Sequence, residues 1–411
     1  MLEDALGQQQ DADARIRARG AGGFRRPMRV LLISHTCQSR TAGQPKASRL
    51  ARIDGVELRV LVPDRWRAYG KWEKAQKPLD SGLDLRVGKA MWPWAGPGQW
   101  YAHWYPRLAP MLNEFQPDII DLWEEPWGLV SAHACWLRDM VVPHAKIITE
   151  TEQNIDKVLP PPFEAFRSYS LRHADFAIGR NREALQVLEG KGYSGPSEVV
   201  PNAVDAEMFR PLDREECRSW LVQELGLPQN PAFLVGYAGR LVEEKGLDDL
   251  LDALTFTSED VHVLLVGSGA WEEQGRQKAR ESGCAGRVHF LPPMRFEELP
   301  RVMNALDAFV LPSRTTARWK EQFGRVIIEA QACETPVIGS DSGAIPDVVG
   351  EGGLVFPEGD ARALSRAIEE LRSQPQLRRQ MGQSGRRQVE ELYTWERVAQ
   401  KMHSIYQKVI Q

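Results

Sequence analysis

Two short apolar runs, MRVLLIS at 28–34 and FLVGYAG at 233–239, set the strongest limit on what this chain can become. Each opens a train in which short apolar runs alternate with segments of helical period. Apolar runs without polar alternation read as strands covered on both faces, as in helix-flanked parallel sheets. Parallel neighbours cannot be joined by a tight turn, so the intervening helices supply the crossovers. In the first train, strands are expected at 28–34, 56–62, 117–122, 146–149, 174–178 and 198–200. In the second they are expected at 233–239, 261–266, 287–291, 308–311, 336–339 and 354–356. The fold class is therefore α/β: two doubly wound halves, 28–205 and 206–390, facing a central ligand cleft.

A net charge of −4 across 411 residues argues against a general nucleic-acid binder. No apolar run approaches the ~20 residues needed to span a bilayer. Residues 1–27 are polar and rich in Gly and Arg, and they lack the apolar segment of a secretory signal. They are expected to be a disordered extension, with Met28 a candidate start. Cys37, Cys135, Cys217, Cys284 and Cys333 are odd in number, scattered and without a CxxC pair. That pattern fits a reducing cytoplasm and no zinc site.

Residues 311–336, LPSRTTARWKEQFGRVIIEAQACETP, carry the most chemistry. A strand ends at Pro312-Ser313, a polar loop holds Glu321, and Gly324 opens a helix that contains Glu329. Backbone N–H groups at Phe323, Gly324, Arg325 and Val326 would face the cleft with the helix dipole behind them, a ready diphosphate site. Solvated glutamates on an ordinary amphipathic helix are the plainer reading. Arg240 and Lys245, between Gly239 and Gly246 at another strand-to-helix turn, suit a phosphate clamp. Gly267-Ser268-Gly269 is a phosphate-compatible turn. In the first half, Gly43 lies in the loop after the first strand, but TAGQP is not GxGxxG. Glu124-Glu125 and Glu150-Thr151-Glu152-Gln153-Asn154 end neighbouring strands, and either line one cleft or cap helices. Residues 65–77 interleave Arg65, Arg67, Lys71, Lys74 and Lys77 with Trp66, Tyr69 and Trp72, and residues 91–105 add Trp92, Trp94, Trp100 and Trp104. These read either as a loop-rich insert packed on the domain edge or as a lip facing the acceptor or the inner membrane face.

With Arg240, Lys245-Gly246 and Glu321-x7-Glu329 placed, residues 233–358 resemble the retaining glycosyltransferases of family 4, glycosyl transferases group 1, of GT-B fold. YAGRLVEEKG, LLVGSG, VLPS and EQFGRVIIEAQACETPVIGSDSGAIPDVV stand in the family's order and spacing. The first half matches more loosely, through PNAVDAEMFRP at the linker. The resemblance implies two Rossmann-like domains and transfer of a sugar from a UDP- or GDP-linked donor with retention, without a bound metal or tight cofactor. The acceptor would be a glycan, a glycolipid or a small glycoside. It also implies that Arg240 and Lys245 hold the donor diphosphate, Glu321 touches donor-sugar hydroxyls and Glu329 the ribose. The Gly267–Gly269 turn and Pro292-Pro293 would lie near the nucleotide, and residues 391–411 would form a helix crossing back to the first domain.

Three departures stand out. Relatives often carry a Gly-Gly pair where this chain offers only Gly43. Many carry a His after the strand at 146–149, where Glu152 and Gln153 become candidate substitutes, with Asn154 beside them. Glu334 stands where Gly is common, a strain point if its φ is positive. A non-catalytic sugar-nucleotide-binding subunit, or a sugar-nucleotide epimerase of the same fold, is the alternative.

Overall fold

The computed structural model describes residues 26–68, 71–92, 102–225 and 233–411. Most of the expected N-terminal extension, and Tyr69, Trp94 and Trp100, lie outside them. The first half contains β1 (Met28–Ile33), β2 (Val56–Pro63), β3 (Arg65–Ala68), β4 (Lys71–Lys74), β5 (Asp84–Gly88), β6 (Ile119–Leu122), β7 (Lys146–Thr151), β8 (Phe176–Gly179) and β9 (Ser197–Val199). The second contains β10 (Phe233–Ala238), β11 (Val261–Val266), β12 (Val288–Leu291), β13 (Ala308–Leu311), β14 (Val337–Ser340) and β15 (Gly353–Phe356).

Among the described residues these strands form a parallel sheet in the order β5-β2-β1-β6-β7-β8-β9 and another in the order β12-β11-β10-β13-β14-β15. Val30 lies opposite Leu58 on one side and Ile119 on the other, and Val235 lies between Val263 and Ala308. Strand order reverses between β1 and β6 in one sheet and between β10 and β13 in the other. Loops at such switch points splay apart and leave a crevice. The loops after these four strands are therefore where the fold leaves room for a ligand.

Five helices matter for the site: α1 (Gln44–Ala51), α2 (Arg182–Gly190), α3 (Leu247–Leu254), α4 (Arg325–Ala332) and α5 (Trp395–Ile410). In α5, Trp395, Val398, Ala399, Met402, Ile405 and Tyr406 repeat at helical spacing and are all buried. They pack with Val30, Leu32, Ala47 and Leu50, in the core of the first sheet. Thr394 caps the helix by accepting the Arg397 N–H. Burying this face contributes roughly 10 kcal/mol before ordering entropy is subtracted. The chain passes between the halves near 200–211 and again near 389–395, and the two crossings touch: Val204 N–H donates to the Tyr393 carbonyl at 2.8 Å. All five cysteines are buried and free.

Several elements differ from the sequence expectation. β7 runs to Thr151, so Glu150 belongs to the strand and not to the loop after it. β3 and β4 pair antiparallel, with Trp66 buried, where a loop-rich insert was the expectation. β5 escapes because Leu85 and Val87 alternate with Asp84 and Arg86, the pattern of an edge strand and not of a buried one. Helices Leu108–Phe115 and Arg214–Leu225 are also additions.

Glu334 has φ of 56°, a left-handed conformation that costs a side-chain-bearing residue about 1–2 kcal/mol. Glu334→Gly relieves that strain but gains chain entropy in the unfolded state, for a net stabilisation of about 0.5–1 kcal/mol. Urea denaturation of the two proteins measures it, and an equal or lower midpoint for the glycine variant would show the turn to be unstrained.

Candidate functional site

The β10 and β13 loops meet at Glu321. Its carboxylate accepts from Lys245 Nζ at 2.6 Å and from Ser313 Oγ at 2.9 Å, and the residue is 8% exposed. Lys245 also sits 4.6 Å above the Trp319 ring. Gly246 makes this approach possible. It holds φ of 63° at the start of α3, and a Cβ there would strike the Pro312 carbonyl. Only a glycine lets the Lys245 turn lie against the end of β13. Arg314 ties the same loops from outside, with Nε 2.7 Å from Asp249 and its N–H on the Glu244 carbonyl at 2.9 Å.

Arg240 is half exposed, with Glu244 3.6 Å away as an ion-pair partner. It follows Gly239, and Tyr237 Oη donates to the Arg240 carbonyl at 2.7 Å, which fixes the backbone where β10 ends. Gly267 and Gly269 serve close packing: a Cβ at either would meet the carbonyl of Gly239 or Leu241 in the β10 loop. Their absent side chains thus bring two strand-end loops together, and Ser268 rides on that contact through its carbonyl, which accepts the Leu241 N–H at 3.0 Å.

Gly324, with φ of 77°, opens α4. Phe323 is buried, while Arg325 and Val326 are half-buried at the first turn. Glu329 is buried one turn further on; burial pushes its carboxyl up, against the opposing pull of Arg325. Arg325 and Glu329 line a cavity of about 620 Å³ shared with Arg40, Thr41 and Phe296, within the usual size for a small-molecule site. Gly43 itself faces the Thr36–Cys37 backbone, which a Cβ would strike. Gly43 packs there, and Arg40 and Thr41 are the members of that loop that line the cavity.

Gln322 borders a second cavity, of about 240 Å³, with His35, Trp123, Glu125, Trp127 and Glu152. His35 ends β1. Its Nδ1 lies 2.7 Å from Glu124, and its ring stacks on Trp66 at 4.5 Å. Burial lowers the His35 pKa, but Glu124 outweighs it and the net shift is upward; Glu124 is correspondingly lowered despite its own burial. Behind them Glu150 pairs with Lys46 at 2.7 Å and with Arg180, and those cations overcome burial and hold its carboxyl low. Asp121 shows the reverse. Burial and the Glu150 charge raise it, and it accepts from Tyr406 Oη of α5 at 2.6 Å.

Of the candidate substitutes for the family's His and their neighbour Asn154, Glu152 lies on the smaller cavity and its carboxylate meets Arg180 Nε at 3.2 Å. Gln153 is occupied by Trp127 Nε1 at 2.8 Å and the Ile155 carbonyl at 2.9 Å. Asn154 turns its amide to Glu183 and the Glu321 carbonyl. The His35–Glu124 pair, Lys46, Arg180 and Arg40 escape sequence reasoning; the one local signal is a His directly after the first strand.

A sequence profile described as Glycosyl transferases group 1 matches residues 222–388. A D-inositol 3-phosphate glycosyltransferase of Corynebacterium jeikeium is 30% identical over 305 residues, 70% of this chain and 68% of that protein. The chain belongs to the glycosyl transferases group 1 family. A GDP-mannose-dependent monoacylated α-(1-6)-phosphatidylinositol monomannoside mannosyltransferase of Corynebacterium glutamicum is 33% identical over 216 residues, 51% of this chain and 56% of that protein. The chain thus spans little more than half the length of that mannosyltransferase. A sucrose-phosphate synthase from Thermosynechococcus elongatus superposes with a TM-score of 0.69 at 22% identity, covering 93% of this chain and 99% of that one. The two facing parallel sheets are the GT-B fold.

Burial raises the Glu125 carboxyl to about 7, although the Glu152 N–H at 2.8 Å and Thr151 Oγ1 at 2.7 Å both donate to it. Between the ordinary value near 4.3 and that value, the folded protein keeps a proton the unfolded chain has lost. This group's contribution to stability therefore falls as pH rises across that window. Glu125→Gln should gain stability relative to the parent by about 2–3 kcal/mol more at pH 8 than at pH 5. Denaturant midpoints at the two pH values test this; an offset independent of pH would place Glu125 at its ordinary value.

Proposed function

We propose that this chain is a retaining glycosyltransferase that moves a sugar from a UDP- or GDP-linked donor to a hydroxyl of a glycan, glycolipid or small glycoside. The observation that carries it is the Lys245–Glu321 pair, at a strand-order switch point beside the α4 N-terminus. When a nucleoside diphosphate leaves, negative charge grows on its terminal phosphate. Lys245, Arg240 and the amides at 323–326 stabilise that charge more in the transition state than in the bound donor, which is what accelerates transfer. In the free protein Lys245 is neutralised by Glu321. An arriving diphosphate takes over the ammonium and leaves the carboxylate to accept hydrogen bonds from donor-sugar hydroxyls. Glu329, in the larger cavity, receives the ribose.

In this assignment residues 28–205 form the acceptor lobe and 206–390 the donor lobe, with 391–411 strapping the second to the first. The smaller cavity, walled by Trp123, Trp127 and carboxylates, takes the acceptor: indole faces stack on sugar rings, and carboxylates accept hydroxyl hydrogen bonds. The relative named above as a mannosyltransferase of a phosphatidylinositol mannoside makes a membrane-borne acceptor one candidate. No helix among the described residues is long and apolar enough to cross a membrane. The basic hairpin β3–β4, with Trp72 half exposed and stacked on Trp92 at 5.7 Å, suits contact with an anionic lipid surface.

A thermal-shift panel of UDP, GDP, ADP and their sugar conjugates tests the donor. One base should raise the melting temperature, and no shift with any of them would overturn nucleotide-sugar binding. Glu321→Ala should cut transfer by about 10²–10³-fold and keep nucleotide binding, while Lys245→Ala weakens both. Equal turnover in the alanine variants would remove this pair from the mechanism. Vesicle flotation with anionic lipid tests the hairpin: co-flotation should disappear when Arg65, Arg67, Lys71 and Lys74 become Glu, and indifference to those changes would dismiss the contact.

A further inference from the structure

Residues 312–324 contain no regular structure, yet three consecutive residues within them are held by the other half of the molecule. Asn154, just past β7, donates its side-chain amide to the Glu321 carbonyl at 3.0 Å and to Glu183 at 3.2 Å. Asn181 donates its amide to the Gln322 carbonyl at 2.5 Å, while its own oxygen caps α2 by accepting the Ala184 N–H at 2.8 Å. Lys320 Nζ reaches Glu183 at 2.8 Å. From its own half, Glu321 receives the Ala344 N–H on its carbonyl at 3.2 Å, and Lys245 and Ser313 on its carboxylate.

Glu321 is therefore fixed from both halves at once. Each asparagine is only 6% exposed, so neither amide exchanges freely with water while the halves are together. If the halves part, the peptide groups at 321 and 322 lose the donors that the first half supplies. The carboxylate then remains tied to Lys245 while the backbone that aims it is released.

We propose that Asn154 and Asn181 are positioning residues that set the Glu321 loop only when the two halves are closed. Neither touches a reacting group. They act through the backbone of Glu321 and Gln322, so the carboxylate is aimed in the state in which the β7–α2 side of the first half is docked. The inference rests on the glycosyl-transfer reading for its consequence in turnover, but the contact itself is measured separately.

The test uses the full chain carrying Asn154→Asp, Asn181→Asp or both. Aspartate keeps the side-chain shape and remains a good helix cap, but it lacks the amide donor. Hydrogen exchange of the peptide 319–324, measured at a temperature where parent and variant both remain folded, should quicken by about tenfold in the double variant, and by more than exchange elsewhere in the second half. With the sugar nucleotide that shifts the parent most in the thermal panel, kcat should fall by about 10–100-fold and the donor KM should stay within about threefold. Unchanged exchange at 319–324 overturns the proposal. Faster exchange with unchanged kcat also overturns it, because the contacts would then be structural only. If the double variant does not fold, the single variants are judged by the same two readouts. If no sugar nucleotide binds the parent, the glycosyl-transfer reading fails, and the exchange result still decides whether the first half orders this loop.

Discussion

A carboxylate with almost no access to water needs a cation or a set of donors, and at Glu321 that requirement organises the second half. Lys245 at 2.6 Å and Ser313 at 2.9 Å supply what solvent does not. To bring them there, two loops from strands adjacent in the sheet but far apart in sequence must touch, and Gly246 permits the touch. Pairing with Lys245 and Ser313 offsets the cost of desolvating the carboxylate, glycine sterics allow the approach, and sheet topology places it at the mouth of the crevice.

The same economy of buried charge recurs in the first half. Glu150 is held ionised by Lys46 and Arg180, while Asp121, which lacks such cations of its own, is pushed toward its neutral form. Trp123 lies under both cations, 4.1 Å from Lys46 and 5.1 Å from Arg180, and adds the attraction of its ring face. The floor of the smaller cavity is thus electrically settled before any ligand arrives. Hydroxyl-rich ligands that ask only for hydrogen bonds fit such a floor better than ligands that bring charge.

How much of this is legible in the sequence follows from the range of each interaction. The paired trains of strands are legible because buried apolar runs are local. So are Arg240, Lys245, Glu321 and Glu329, since their strand-end and helix-start positions come from nearby residues. The polar network of the first half is not. His35 meets Glu124 across 89 residues, Lys46 meets Glu150 across 104, and Tyr406 meets Asp121 across 285. No periodicity pairs such residues. Gly43 misleads for a related reason: a glycine needed for packing and a glycine needed for a phosphate look alike until the backbone it faces is known. The β3–β4 pair is hidden because its basic residues outweigh the alternation that marks a strand.

The position of α5 also determines the order in which the molecule can be completed. The segment from about 200 to 394 is, in topological terms, an insertion into the first half, whose last described piece, α5, follows every strand of the second half in the chain. While the chain is emerging, the apolar face that Trp395, Met402 and Tyr406 will cover stays open, and the inserted half has all its strands before the outer one is finished. Assembly therefore proceeds from the inside outward: the inserted half can complete its sheet first, and the half that α5 covers closes after it.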